Sequence, residues 1–193
     1  WLPTWLGLDA NTVVVVPELA YPTYAVGAQL AGAQVVRGQD PDDWPSHTAL
    51  IWVNSPANPT GRVLSVEELA TIVRWARDHG AVVVSDECYF ELGWDAEPVS
   101  ILDPRVCGDS HQGILAAHSL SKRSNLAGYR AGFIAGDAHI IRTVLAIRKH
   151  SGLMVPTPVQ AAMVAALDDD AHVHAQRERY AARRLSLWSG FAA

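Results

Sequence analysis

Six short runs of β-branched or apolar residues recur along the chain, with longer stretches of helical period between several of them. Residues 12–16, 34–36, 49–53, 81–85, 114–117 and 131–134 are too uniformly apolar for half-solvated strands. They predict strands buried on both faces. Residues 24–31, 66–79 and 138–149 carry the helical period instead. The second of these is sharply delimited: Ser65 stands at its N-terminal cap, Glu68 follows three residues later, and Gly80 ends it. Leu69, Ile72, Val73 and Ala76 then fall on one face, as a helix lying on a sheet requires. Buried strands alternating with helices predict an α/β fold, a mostly parallel sheet with helices on both faces.

Composition narrows the function. With 193 residues, 49% of them hydrophobic, the chain can bury a substantial core as one large domain or one and a fraction. A net charge of -5 and the lack of a basic stripe argue against a nucleic-acid partner. The apolar runs at 13–16 and 81–84 are far too short to span a bilayer, so no membrane is expected. No secretory leader is read at the start. Cys88 and Cys107 lack metal-ligand spacing and form no disulfide framework, which fits a reducing, cytoplasmic setting. The chain opens at Trp1, residues 1–8 read as the tail of a helix, and a helix-like segment closes it. The expectation is an internal fragment of a longer protein.

Three polar segments stand at strand ends. Residues 49–53 run into Asn54-Ser-Pro-Ala-Asn-Pro-Thr-Gly61, 81–85 into Asp86-Glu-Cys-Tyr89, and 114–117 into His118-Ser-Leu-Ser-Lys122. In open parallel sheets, ligands sit at the carboxyl ends of the strands. Of the fifteen lysine and arginine side chains only two, Lys122 and Lys149, are lysines. An arginine stays protonated and cannot condense with a carbonyl, whereas a desolvated lysine can. A pyridoxal phosphate site needs such an amine, and a carboxylate that keeps a proton on the pyridine nitrogen. It also needs donors near the phenolic oxygen, cations and hydroxyls for the phosphate, and an aromatic face for the ring. Lys122 can supply the amine and Asp86 the carboxylate. Asn58 and Tyr89 can address the phenolic oxygen, Ser119 and Arg130 the phosphate, and Tyr21 the ring face. His118 reads as a strand-end core residue, and Cys88 as packing beside the site. His172 and His174 read as a solvated helix face rather than a metal site.

Four segments carry a family resemblance: Pro17-Glu-Leu-Ala-Tyr-Pro-Thr-Tyr24, Asn54 to Gly61, Ser85-Asp-Glu-Cys-Tyr89, and Ser119-Leu-Ser-Lys-Arg-Ser-Asn-Leu-Ala-Gly-Tyr-Arg130. Together, and in this order, they resemble the large domain of the class I/II pyridoxal-phosphate-dependent aminotransferases, of the aspartate aminotransferase fold. The resemblance implies that Lys122 is the Schiff-base lysine and the proton-transfer base, and that Asp86 salt-bridges the pyridinium nitrogen. It implies that Asn58 and Tyr89 bond the cofactor's 3′ oxygen, Ser119 and Arg130 its phosphate, and Tyr21 its ring. Residues 1–167 would be a partial cofactor-binding large domain, and 168–193 a helix leading to a missing C-terminal small domain.

Three parts of the family's machinery are then expected outside the sequence. These are a glycine- and serine-containing phosphate loop upstream, a carboxylate-gripping arginine downstream, and a tyrosine from the partner subunit of a homodimer. The fragment alone is accordingly expected to be inactive. The lysine segment, with Ala131-Gly-Phe-Ile-Ala-Gly-Asp137, is similar to bacterial succinyldiaminopimelate transaminases of lysine and diaminopimelate biosynthesis. The implied substrates are small amino acids and 2-oxo acids, glutamate or 2-oxoglutarate with a succinylated amino-keto-pimelate. Other class I/II aminotransferases, carbon–sulfur β-lyases and the aminotransferase-like sensor domain of a transcription regulator share these motifs.

Overall fold

A computed structural model of the chain describes residues 1–191. Strands β1 (Val13–Val16), β2 (Gln34–Arg37), β3 (Thr48–Asn54), β4 (Val82–Asp86), β5 (Ile114–Ser119) and β6 (Gly132–Gly136) form a six-stranded sheet. Its order is β2-β1-β3-β4-β5-β6. The first five are parallel, and β6 runs antiparallel to β5.

The period of two sorts the strand residues onto two cores. Val13, Val15, Ile51, Val53, Val83, Ile114 and Ala116 face one side, where helices α3 (Val66–His79) and α4 (Pro104–Cys107) cover them. Val14, Val16, Leu50, Val84 and Leu115 face the other, beneath α1 (Leu2–Trp5), α2 (Thr23–Leu30) and α6 (Ala138–Arg148). Both faces are thereby covered, which explains why these strands read as continuous apolar runs.

Helix α3 begins and ends where its sequence says it should. Ser65 Oγ accepts the Glu68 N–H at 3.2 Å, while Glu68 Oε2 accepts the Ser65 N–H at 2.8 Å. At the far end Gly80 takes φ 69°, a left-handed cap that a side chain would strain.

One strand departs from expectation. Residues 131–134 predict a buried strand, yet Gly132, Phe133 and Ile134 are exposed. The reason is position: β6 is the edge strand and is the antiparallel one. Its apolar side chains therefore lack a layer on the outside. Two other strands run further than their apolar runs. Asn54 and Ser119 still pair in the ladder, opposite Asp86 and Gly132, because backbone pairing does not stop at the first polar side chain.

The β5–β6 hairpin also leaves no room for a side chain at Gly136. An added Cβ would lie 2.1 Å from the Ile114 carbonyl oxygen, at φ 129°. Gly136→Ala is expected to destabilise the fold by about 2 kcal/mol or more, from overpacking and backbone strain together. Urea denaturation against the parent chain checks it.

After α6 come α7 (Thr157–Leu167) and α8 (Ala171–Phe191). Arg123 ties the break between them, donating to the Ala166 carbonyl at 2.7 Å and pairing with Asp170. Helix α8 is held lower down by Trp94, over which Arg177 and Arg184 lie at 5.3 Å and 5.8 Å. No helix among the described residues is long and apolar enough to cross a membrane.

Candidate active site

Three neighbouring strand ends define the site. β3 ends at Asn54, which pairs with Asp86 at the end of β4, and Asp86 in turn lies opposite Ala117 on β5. Above them is a cavity of about 420 Å³, within the range usual for small-molecule sites. Tyr21, Asn58, Asp86, Tyr89, Ser119, Lys122 and Arg130, all seven residues named from the sequence, line it. A hollow of about 450 Å³ beside Trp44, Arg62 and α3 shares only Asn54 with it and lacks an amine.

Each element positions its residue for a local reason. Asp86 closes β4 with its side chain on the α2 side. There Oδ2 accepts the Tyr24 hydroxyl at 2.6 Å and Oδ1 accepts the Cys88 N–H at 3.1 Å. Burial, then the Asp86 charge and hydrogen bond, push the Tyr24 phenol far above its ordinary pKa. The phenol thus remains a donor, and the carboxylate is oriented before any ligand arrives. Burial first and the Asp86 charge second also raise the Cys88 thiol, so it offers no thiolate nucleophile beside the amine.

Asn58 is placed by its neighbour. Buried Asn54 donates to the Asp86 carbonyl at 2.8 Å and the Pro56 carbonyl at 3.0 Å, and accepts the Asn58 N–H at 2.7 Å. This staples the 54–61 loop to the end of β4. The Ser55–Pro56 and Asn58–Pro59 peptide bonds in that loop are both cis.

Ser119 ends β5 and caps the short helix α5 (Leu120–Arg123), its Oγ accepting the Ser121 N–H at 3.1 Å. Lys122 sits on that turn with Nζ 5.8 Å from the centre of the Tyr89 ring. It is exposed at the rim of the cavity. Arg130 reaches the same cavity because the chain doubles back. Ser119 pairs with Gly132, two residues beyond the arginine. Arg130 takes a left-handed φ of 54° and anchors its side chain on the Ala127 carbonyl at 2.9 Å. Tyr21 stands at the mouth, half exposed, with its ring edge-on to Tyr24.

Tyr24, Asn54 and Ser121 line the cavity without having been assigned a role from sequence. Tyr24 had a signal, since it opens the helix-periodic segment three residues after Tyr21, within the same motif-bearing stretch. Tyr24→Phe leaves one Asp86 oxygen without its donor. Affinity for pyridoxal phosphate is expected to fall roughly tenfold, as for loss of a hydrogen bond to a charged group. Absorbance titration with the cofactor measures it.

The model of a family described as aminotransferase class I and II matches residues 2–193. A probable aminotransferase of Mycobacterium tuberculosis is 64% identical over 97% of this chain and 45% of its own length. The 4-dedimethylamino-4-oxo-anhydrotetracycline transaminase OxyQ of Streptomyces rimosus is 60% identical over 97% of this chain and 52% of its own. Among solved structures, the N-succinyldiaminopimelate aminotransferase of Mycobacterium tuberculosis superposes with a TM-score of 0.89. It is 29% identical, covering 99% of this chain and 53% of that one. The chain therefore spans about half the length of these relatives. With a family match over nearly every residue and a sheet that places the matching segments around one cavity, the chain belongs to the class I and II aminotransferases.

Proposed function

We propose that the protein of which this chain forms part moves an amino group between an amino acid and a 2-oxo acid, with the 420 Å³ cavity as its cofactor site. The family depends on pyridoxal phosphate. The observation that carries the reading is the pairing, in one cavity, of an amine at Lys122 with a carboxylate at Asp86 already oriented by Tyr24. When bound, the cofactor supplies an electron sink for breaking the bond between an amino acid's Cα and its hydrogen.

The donor set fits that group. The Asp86 carboxylate would hold a proton on the ring nitrogen, and the Tyr24 and Cys88 bonds fix the direction from which it does so. Lys122 Nζ would hold the aldehyde carbon and, once displaced, carry the proton taken from Cα. Asn58 and Tyr89 would donate to the phenolic oxygen. Ser119 and Arg130 would hold the phosphate, with the nearby Ser121 hydroxyl as a further donor. Tyr21 would cover the ring and exclude water from one side.

The substrate reading is glutamate or 2-oxoglutarate exchanged with a succinylated amino-keto-pimelate. Its support is the similarity of residues 119–137 to succinyldiaminopimelate transaminases and the 0.89 TM-score to one solved example. A second reading, a larger cyclic ketone as acceptor, is favoured by the 60% identity to OxyQ. The fold alone fixes neither. We also propose that residues 1–167 are part of a cofactor-binding large domain and that residues 168–193 lead to a C-terminal small domain. The exposed Leu185, Leu187, Trp188 and Phe191 support this.

The test uses the full polypeptide with pyridoxal phosphate and glutamate. One 2-oxoglutarate per bound cofactor is expected, with continued turnover when the correct acceptor is added. Turnover with the succinylated acceptor supports the first substrate reading, and turnover with a polycyclic ketone alone supports the second. Pyruvate and ammonia from a cysteine-type substrate, with no 2-oxoglutarate from glutamate, would replace the transaminase by a lyase.

A further inference from the structure

One buried acid has no part in the chemistry above. Glu87 follows Asp86 directly, and the alternation of the strand sends its side chain to the opposite face of the sheet, where it is 1% exposed. Its Oε1 accepts the Ile101 N–H at 2.8 Å. Its Oε2 has no aligned hydrogen bond and faces His118 Nε2 at 3.3 Å. A carboxylate so fully removed from water is tolerated only with a partner, and His118 is the partner within reach.

The two residues are the next step of the β4–β5 register after Asp86 and Ala117, and the Glu87 N–H continues the ladder to the Ala117 carbonyl at 2.8 Å. The imidazole is fixed from two further directions. It stacks on Phe133 at 5.0 Å and meets Phe90 edge-on at 6.3 Å. Phe133 belongs to β6, and Phe90 to the turn just after Tyr89. A single ring therefore touches the segment carrying Asp86 and Tyr89 and the two strands flanking the turn of Ser119, Lys122 and Arg130.

We propose that Glu87 and His118 are positioning residues. Glu87 is buried behind the sheet, and His118, which also borders the cavity, meets it there. The pair sets the spacing between Asp86, which would hold one end of the cofactor, and the Ser119–Lys122 turn, which would hold the other. This rests on the cofactor reading given above. Neither residue touches the reacting atoms. They act by keeping two strand ends, and the groups mounted on them, from sliding or splaying apart.

The experiment compares the full polypeptide with its His118→Gln, His118→Leu and Glu87→Leu/His118→Leu variants. Gln keeps an N–H donor near the position of Nε2, whereas Leu keeps bulk and removes the donor. The double variant removes both buried polar groups, so it keeps a folded control if His118→Leu alone fails to fold. Three quantities are read: thermal midpoint, affinity for pyridoxal phosphate, and the visible circular dichroism of the bound cofactor.

The expected result is near-parental affinity in His118→Gln. The double variant is expected to fold but to bind cofactor about tenfold to a hundredfold more weakly, with an altered dichroic band, as for misplacement of binding groups. Parental affinity and dichroism in the double variant would overturn the positioning role and leave a buried pair that only stabilises. Borohydride trapping on the parent protein separates the two ideas. A parent that takes no label at Lys122 sinks the cofactor reading and the positioning role together, whereas a labelled parent with an unaffected double variant sinks the positioning role alone. Imidazole ¹⁵N shifts give an independent check, since a His118 Nε2 without a proton removes the contact itself.

Discussion

Lys122→Ala is expected to abolish reducible attachment of pyridoxal phosphate while leaving the fold intact. The lysine is exposed and its Nζ makes only a long approach to the Tyr89 ring, so its loss removes no buried contact. The chemistry has no substitute close by. The only other lysine of the chain, Lys149, lies just beyond α6 and does not line the cavity, and the Cys88 thiol is held protonated by burial. Transamination should fall by at least about 10²–10⁴-fold, the usual contribution of a positioned proton-transfer group, with loss of the covalent anchor added to it. Peptide mapping after borohydride reduction checks the attachment. Label appearing on Lys149 in the parent would remove Lys122 from its proposed role.

Asp86→Ala carries the second large effect, and it separates binding from chemistry. The carboxylate is held by the Tyr24 hydroxyl and the Cys88 amide. Removing it strands the Tyr24 phenol, a buried donor then left without its acceptor, at about 1–3 kcal/mol. The same change would leave the ring nitrogen without a counter-charge, so the cofactor could bind yet work poorly. The expectation is a modest loss of stability, weaker cofactor retention, and a fall of several orders of magnitude in turnover at saturating cofactor. Asp86→Asn keeps one of the two acceptor oxygens that Tyr24 and the Cys88 N–H use, and should recover part of the stability without recovering turnover. Full recovery of turnover by asparagine would show that the negative charge is not what matters there.

Much of this architecture was legible because local and global preferences agree. The capping box at Ser65 and Glu68, the glycine at 80 and the apolar face of α3 all specify the same helix, and its bounds fall where they predict. The site was legible for a different reason. Parallel strands end together, so polar segments following apolar runs converge without knowledge of tertiary structure.

What sequence did not reveal lies in direction and depth. Nothing in residues 131–134 announces an antiparallel edge strand, because the composition of an edge can match that of a centre. Tyr24 and Asn54 act through hydrogen bonds to residues more than thirty positions away, which no local pattern encodes. The exposure of Lys122 at the rim of the cavity is likewise not written in its local sequence. His118 reads from sequence as a strand-end core residue, but its pairing with buried Glu87 at 3.3 Å, from the strand beside it, has no local signal.

The adjacency of Asp86 and Glu87 has a consequence for how such a chain can change over time. Two identical functional groups, one residue apart, have opposite environments solely because a strand alternates. Deleting or inserting a single residue within β4 would exchange them, turning Glu87's position toward the cavity and Asp86's toward the core. Point changes at the loops beyond β3 and β5 alter one contact at a time. A length change inside β4 alters every contact at once, so variation in this segment should be confined to substitution, with insertions and deletions accommodated outside the strands.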